Sequence, residues 1–372
     1  MAGGTNGGGG ERILVLNPGS TTTKIAVFEA ERCVFEDLIR HSQEDISQFA
    51  RMMDQLEYRK ALVLKFLSDR GVALASLAAV VGRGGLMRPI VSGTYRVNEA
   101  MLADVRAGVQ GEHASNLGAV LAHEIASEAG VPSFVVDPPV VDELDPVARP
   151  SGLPEISRKS IVHALNVKAI ARRVAGELGR PLSELNMVVA HLGGGISVCA
   201  LRGGKMVDVS NALSAGPFTP ERAGALPTLE LVSLCFSGRY SESQIRKKLV
   251  GAGGLVAYLG SNSAVDAVKR IESGDERAAL LVDAMTYQIA KEIGAMGAAL
   301  EGRVDAVVLT GGIAHNSYVT DRIARRVSFL GRVLVVPGED EAQALALGCL
   351  RAIRGEEKPL EYPKTVEGAS GV

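Results

Sequence analysis

The chain has 372 residues, of which 47% are hydrophobic and 22% charged, with a formal net charge of −2; this length favours two domains over one core, and the charge balance excludes a basic nucleic-acid surface or a polybasic membrane anchor. Glycine is abundant (43 residues) while aromatics make up only 4% with no Trp, which suits tight turns and close backbone approaches rather than a stacking platform. Cys33, Cys199, Cys235 and Cys349 are scattered among apolar neighbours without metal-ligand spacing, and read as reduced, buried small hydrophobes of a cytoplasmic protein.

Met1–Gly10 is Gly-rich and lacks the basic and apolar regions of a signal peptide, so it reads as a flexible leader. Runs at Arg12–Leu16, Lys24–Phe28 and Cys33–Ile39 predict three strands in a meander, followed by a helical pattern over Asp45–Arg70. Leu77–Val81 predicts a buried strand; Val72–Val81, the longest apolar stretch, is about half of the roughly 20 residues that a membrane span needs. Helical patterns at Glu99–Ala107 and Ser115–Ala129 lead to a strand at Ser133–Val136, stopped by Asp137-Pro-Pro. Asp142–Pro154 is proline-rich and acidic, a candidate hinge. Beyond it the opening grammar returns: strands at Met187–Ala190, Ile196–Leu201 and Lys205–Val209, with a turn at His191–Gly195. Helices are predicted at Leu229–Phe236, Ala264–Glu272 and Ala278–Leu300, strands at Asp305–Leu309 and Val333–Val336, and a last helix at Asp340–Arg354. Gly355–Val372 reads as a tail, of which the part up to 363 is grouped with the first domain. This internal echo predicts an α/β protein of two duplicated ribonuclease-H-like domains with nucleotide in a cleft between them. The expected division is leader 1–10, N-terminal domain 11–155 with 345–363, C-terminal nucleotide-binding domain 156–344, and tail 364–372.

Three glycine-bearing turns carry the chemistry, each entered from an apolar run. No Walker GxxxxGK[ST] and no complete strand-linked GxGxxG is present, so neither a P-loop nor a dinucleotide-binding domain is supported. In Asn17–Lys24, Gly19 permits the turn, Ser20 and Thr22 with their neighbours supply hydroxyls, and Lys24 is a charge that can reach a phosphate. Asn17 offers an oxygen for Mg²⁺; alternatively the segment is a hydroxyl-rich hairpin. In His191–Ser197, Gly193, Gly194 and Gly195 remove every side chain that would hold a phosphate away from main-chain N–H groups. His191 is either a donor to a transferring phosphoryl oxygen or a structural histidine. In Leu309–Asn316, Gly311 and Gly312 let a flat ligand lie on the backbone, and Asn316 either helps hold it or caps a following helix.

These turns resemble the two phosphate motifs and the adenosine motif of the acetokinase branch of the sugar kinase, actin and heat-shock-70 superfamily. Within that branch, Val80-Val-Gly-Arg-Gly-Gly-Leu-Met-Arg-Pro89, Asp137-Pro-Pro-Val-Val-Asp-Glu143, Arg158-Lys-Ser-Ile-Val-His-Ala-Leu-Asn166 and Phe218-Thr-Pro-Glu-Arg-Ala-Gly224 resemble the butyrate kinases, from about Arg12 to about Pro363. The resemblance implies reversible, Mg²⁺- and ATP-dependent phosphorylation of a short fatty acid to an acyl phosphate and ADP, by a homodimer or higher homo-oligomer. Propionate, isobutyrate and other short or branched acids are alternative substrates, and a non-catalytic actin-like ATP-binding protein is the alternative from another class. By the same resemblance Arg83 and Arg222 clamp the substrate carboxylate or phosphoryl group, Asp137 orients metal or substrate, and Asn17 and Glu341 serve the metal. Lys159 stands where acetate kinases place a catalytic histidine, as a phosphate-directed charge or a structural replacement; the second histidine of that segment survives as His163. Acetate kinases follow the first arginine with valines, whereas this chain continues into Gly84-Gly85. Gly85 is therefore expected to widen the acyl pocket, at about 0.8 kcal/mol per added CH₂. His113 and Asn116 either line that pocket or cap the Ser115–Ala129 helix.

Overall fold

A computed structural model describes residues 11–363. The leader and tail expectations for 1–10 and 364–372 lie outside the described residues. Along the chain run β1 (Arg12–Pro18), β2 (Thr22–Glu29), β3 (Arg32–Arg40), α1 (Gln43–Ser47), α2 (Leu56–Asp69), β4 (Ala79–Gly82), β5 (Thr94–Arg96), α3 (Glu99–Ala107), α4 (Asn116–Ala129), β6 (Ser133–Val136), β7 (Pro150–Leu153) and β8 (Ile156–Ser157). Then come α5 (Ala164–Leu178), β9 (Asn186–Leu192), β10 (Ile196–Arg202), β11 (Lys205–Val209), α6 (Thr228–Cys235), α7 (Glu242–Leu249), α8 (Gly254–Leu259), α9 (Ala264–Glu272) and α10 (Glu276–Ala299). The chain continues through β12 (Ala306–Gly311), α11 (Ser317–Val327), β13 (Arg332–Pro337), α12 (Glu341–Ile353) and β14 (Leu360–Glu361). They fall into two compact units: the first runs up to Val141 and resumes at Asp340, and the second is Asp142–Glu339.

The first unit is built on a seven-stranded sheet, β14-β5-β6-β4-β1-β2-β3. β1 pairs antiparallel with β2, β2 antiparallel with β3, and β1 parallel with β4, which is parallel to β6. The continuous apolar run Ile13–Leu16 is buried throughout, as a central strand covered on both faces requires. Leu14 and Leu16 join α2 and α4 in one core cluster, and α12 also packs against β1, β4 and β6. The second unit repeats the arrangement in a five-stranded sheet, β11-β10-β9-β12-β13, again with two antiparallel and then two parallel pairings. Alternate residues Val188, Ala190 and Leu192 of β9 meet Val282, Met285, Ile289 and Ile293 of α10. The shared order (third, second, first, fourth strand, then the next parallel one) is the ribonuclease-H-like pattern expected from the repeated grammar.

Several local expectations are corrected. Asp45–Arg70 is not one helix: Ser42 caps the short α1, and a new start forms where the Asp54 carboxylate accepts the Arg51 N–H at 2.9 Å, leading through a 3₁₀ turn into α2. His191 and Leu192 belong to β9, so the turn contains only the glycines. The segment after Gly355 is not all tail, because Leu360–Glu361 adds a parallel strand beside Tyr95–Arg96 and buried Tyr362 donates to Asp104 at 2.6 Å. Helix α5 was not expected, although its apolar positions end at Gly179 in the left-handed conformation. Cys199 and Cys349 are buried as expected, but Cys33 and Cys235 are exposed. Among the described residues, no helix is long and apolar enough to cross a membrane.

Candidate active site

In the first unit, the turn between β1 and β2 is closed by the Gly19 N–H donating to the Thr22 carbonyl at 2.8 Å. Ser20 and Thr21 are exposed and Thr22 half-buried, whereas Thr23 is buried. Lys24 lies within β2 and pairs with Glu36 at 3.1 Å. Asn17, at the end of β1, donates through Nδ2 to Glu341 Oε2 at 2.6 Å. Glu341 opens α12, where the Asp340 side chain accepts from the Gln343 N–H, and its carboxylate also pairs with Arg83. Three residues assigned separately from sequence, Asn17, Arg83 and Glu341, thus form one polar cluster.

Arg83 directly follows β4, and glycines hold it there. A Cβ on Gly118 of α4 would collide with the Arg83 backbone, and one on Gly82 with the Gly118 carbonyl. Asp137 follows β6 with a left-handed φ of 40°, an uncommon backbone for a non-glycine residue. It is buried, and its Oδ1 accepts from Ser92 Oγ at 2.6 Å and the Gly93 N–H at 2.9 Å. The space beside Gly85 is filled by the Asn116 backbone and side chain, so helix packing requires this glycine. Asn116 bridges loops, accepting from the Leu86 N–H at 2.8 Å and donating to the Gly111 carbonyl at 3.1 Å. It therefore does not cap α4, whereas exposed His113 accepts the Ser115 N–H through Nδ1 at 3.2 Å.

In the second unit, the three-glycine turn lies directly after buried His191, whose Nδ1 is 2.9 Å from Asn166 Oδ1 and whose Nε2 is 3.4 Å from Glu339. The His163 ring stacks on that of His191, with centroids 3.9 Å apart, and reaches Ser197 Oγ at 2.8 Å. Thr219 Oγ1 donates to the Gly194 carbonyl at 2.5 Å and accepts from the N–H groups of Glu221 and Arg222, locking that segment to the turn. A Cβ on Gly194 would press on Glu221, and one on Gly195 would occupy the Arg222 guanidinium. Arg222 Nη1 donates to the Ala212 carbonyl at 2.6 Å, while its buried Nε has no hydrogen-bond partner. Burial holds the Arg222 pKa below its ordinary value, with Glu221 opposing.

At the third turn, Gly311 has φ 90° and approaches the Leu192 backbone too closely for a side chain, whereas the space at Gly312 is open. Gly312, Ile313, His315, Asn316, Ser317 and residues of α9 and α11 line a cavity of about 820 Å³, within the range that holds a nucleoside. Asn316 caps α11, accepting from the Tyr318 N–H at 3.0 Å. Lys159 is exposed after β8, and its carbonyl accepts from Asn211 Nδ2 at 3.0 Å.

Sequence reasoning missed Arg59, Asn166, Ser197 and Glu221. Arg59 was detectable: it shares the i, i+4 register of Val63 and Leu67 on the buried face of α2. The other three lacked such a signal, because their partners come from distant segments.

The fold is a two-unit α/β arrangement of the actin-like type. The acetokinase family model matches residues 155–342, just over half of the chain, and the chain belongs to the acetokinase family. It is thereby a carboxylate kinase, a phosphotransferase that uses ATP and ADP. Similar solved structures include acetate kinase from Porphyromonas gingivalis (TM-score 0.76, 20% identity, covering 92% of this chain and 100% of that one) and propionate kinase from Francisella tularensis (0.72, 19%, 91% and 98%). Acetate kinase from Entamoeba histolytica is also similar (0.73, 18%, 91% and 98%). At these identities the likeness concerns the fold.

Proposed function

We propose that the protein phosphorylates a short-chain fatty acid of butyrate type with ATP, reversibly, giving the acyl phosphate and ADP. The observation that carries the reading is the Arg222 guanidinium packed against Gly195 of the three-glycine turn, with a buried Nε that has no hydrogen-bond partner. A buried N–H without an acceptor is costly, so this arginine is kept for something other than stability, and its guanidinium lies where an anion at the glycine turn would need a positive charge. A carboxylate oxygen attacks the γ-phosphorus, a new P–O bond forms, and the bond to the β-phosphate oxygen breaks with its electrons leaving on ADP. The acid is already ionised at neutral pH, so no general base is needed and the protein's work is positioning and charge neutralisation.

Arg222 neutralises the transferring group, Arg83 the carboxylate, and His191 lies under the phosphate turn as a donor. The cavity at Gly312 and Asn316 takes the adenosine, and Asp137 orients rather than abstracts a proton. Among the described residues, no three His, Cys, Asp or Glu gather as a cation cage. Asn17 and Glu341, however, suit a Mg²⁺ that keeps waters and takes its other ligands from phosphates. Bound there, the ion would offset phosphate charge. Lys159 adds a phosphate-directed charge by replacement of the family's histidine.

The butyrate assignment rests on the motifs around Arg83, Asp137, Arg158 and Phe218. A cytoplasmic homodimer or higher homo-oligomer accompanies it. The exposed apolar residues of and just after α6, Leu229 (79% exposed) and Phe236 (87%), support self-association. Steady-state kinetics with acetate, propionate, butyrate and isobutyrate test the specificity. The expected result is a higher kcat/KM for butyrate than for acetate; a sharp preference for acetate would overturn it.

A further inference from the structure

Beneath the β1–β2 turn lies a cation that the catalytic reading above does not use. Arg59 is fully buried, and all three of its guanidinium nitrogens are engaged. Nη1 donates to the carbonyls of Gly19 at 2.8 Å and Thr22 at 2.9 Å and to Thr23 Oγ1 at 3.1 Å. Nη2 donates to the Ser20 carbonyl at 2.9 Å and to Gln55 Oε1 at 2.8 Å, and Nε shares that Gln55 oxygen at 3.0 Å. Burial lowers the Arg59 pKa to about 10, which leaves it charged at neutral pH. Its partners are carbonyls, a hydroxyl and an amide oxygen, and among the described residues no carboxylate pairs with it.

The turn's geometry follows from this anchor. A trans peptide points its C=O and the next N–H in opposite directions. With the Gly19 and Ser20 carbonyls drawn inward to Arg59, the N–H groups of Ser20 and Thr21 face away from it, on two exposed residues. Successive outward N–H groups form an anion-binding concavity. Behind them stands a desolvated positive charge compensated by carbonyl dipoles rather than by an acid. On the far side of the guanidinium, Thr23 Oγ1 accepts from Arg59 and lies 2.8 Å from His41 Nε2. Burial, then the nearby Arg59 charge, pushes the His41 pKa down to about 4 against a smaller opposing effect of Asp45, so the imidazole is neutral at pH 7.

We propose that Arg59 is a positioning residue for phosphoryl transfer, pinning the Gly19–Thr22 turn so that its outward N–H groups meet the terminal phosphate of ATP and placing behind them a charge that no carboxylate neutralises. The role rests on the kinase reading above and adds to it a residue remote from the reacting atoms.

Two variants of the full chain separate this role from a purely structural one. Gln55→Glu keeps an oxygen for both Arg59 hydrogen bonds but places a carboxylate against the guanidinium. Arg59→Lys keeps the charge and loses the fork that holds three carbonyls. Circular dichroism establishes folding, and the readouts are KM for ATP, KM for the acid, and the rise in melting temperature produced by ATP and by ADP. In Gln55→Glu, ATP should bind at least about tenfold more weakly, with the melting-temperature rise lost more for ATP than for ADP and KM for the acid unchanged, while the ligand-free protein melts no lower than wild type. In Arg59→Lys, the ATP-induced rise should also shrink. Wild-type ATP affinity in a folded Gln55→Glu overturns the role of Arg59 alone. A wild-type protein that gains no stability from either nucleotide overturns the kinase reading and this role together.

Discussion

Leaving a buried N–H without an acceptor costs about 1–3 kcal/mol, and Arg222, whose guanidinium lies against the three-glycine turn, keeps one such group at Nε. Replacing Arg222 by Met removes that cost together with one hydrogen bond to the Ala212 carbonyl, so the two changes roughly cancel in stability. Turnover should nevertheless fall by about 10³-fold, as for other arginines that clamp a transferring phosphoryl group. Near-normal kcat with an unchanged urea midpoint would contradict the assignment. His41 supplies a pH effect of definite sign. Its folded pKa is near 4 against an ordinary 6.5, so between those values the unfolded chain holds a proton that the folded chain does not. The contribution is complete above pH 6.5 and drains away as pH falls toward 4, by about 3 kcal/mol at most. Urea midpoints at pH 7.5 and 5 should diverge in the wild type and converge in His41→Asn; equal divergence in both would remove His41 as the cause.

At the scale of elements, the decisive contact is α4 against the end of β4. Gly118 and Gly82 let the helix touch the strand backbone, and a methyl at Gly118 would enter the Arg83 backbone. Gly118→Ala should therefore cost about 1–3 kcal/mol of stability and also displace Arg83, lowering kcat/KM at temperatures where the variant is still folded. Loss of stability with full activity would separate the packing from the site. The strands β1 to β4, β6 and β9 to β13 and most helices were legible because their apolar periods are long and their ends carry Gly, Pro or Asn, whereas the two- to four-residue strands β5, β7, β8 and β14 carry no such period. The break between α1 and α2 was not, since it depends on a local carboxylate, Asp54, accepting a backbone N–H. Helix α5 was missed because buried Asn166 and Lys168 interrupt its apolar stripe; Lys168 is buried only because Glu143 and the Gly204 carbonyl receive its ammonium. Gly85 shows the opposite error: a glycine read as pocket space is explained by the proximity of Asn116.

For the molecule as a whole, duplication was legible from the repeated strand, turn and strand grammar, and the two sheets have the same order and sense of pairing. The glycine turns themselves could also be read from sequence, because each follows an apolar strand directly. What could not be read was which polar residues share a cluster: Asn17, Arg83 and Glu341 are joined by the return of the chain at Asp340 into the first unit, which no local pattern encodes. Acyl-chain preference is likewise a matter of side-chain volumes drawn from distant segments. The central claim, direct phosphorylation of a short-chain carboxylate, is tested most directly by trapping the product with hydroxylamine in a mixture of protein, butyrate, ATP and Mg²⁺. The account predicts butyrylhydroxamate formed in step with ADP and dependent on Arg222; ADP release without hydroxamate, or no turnover with any short-chain acid, would contradict it.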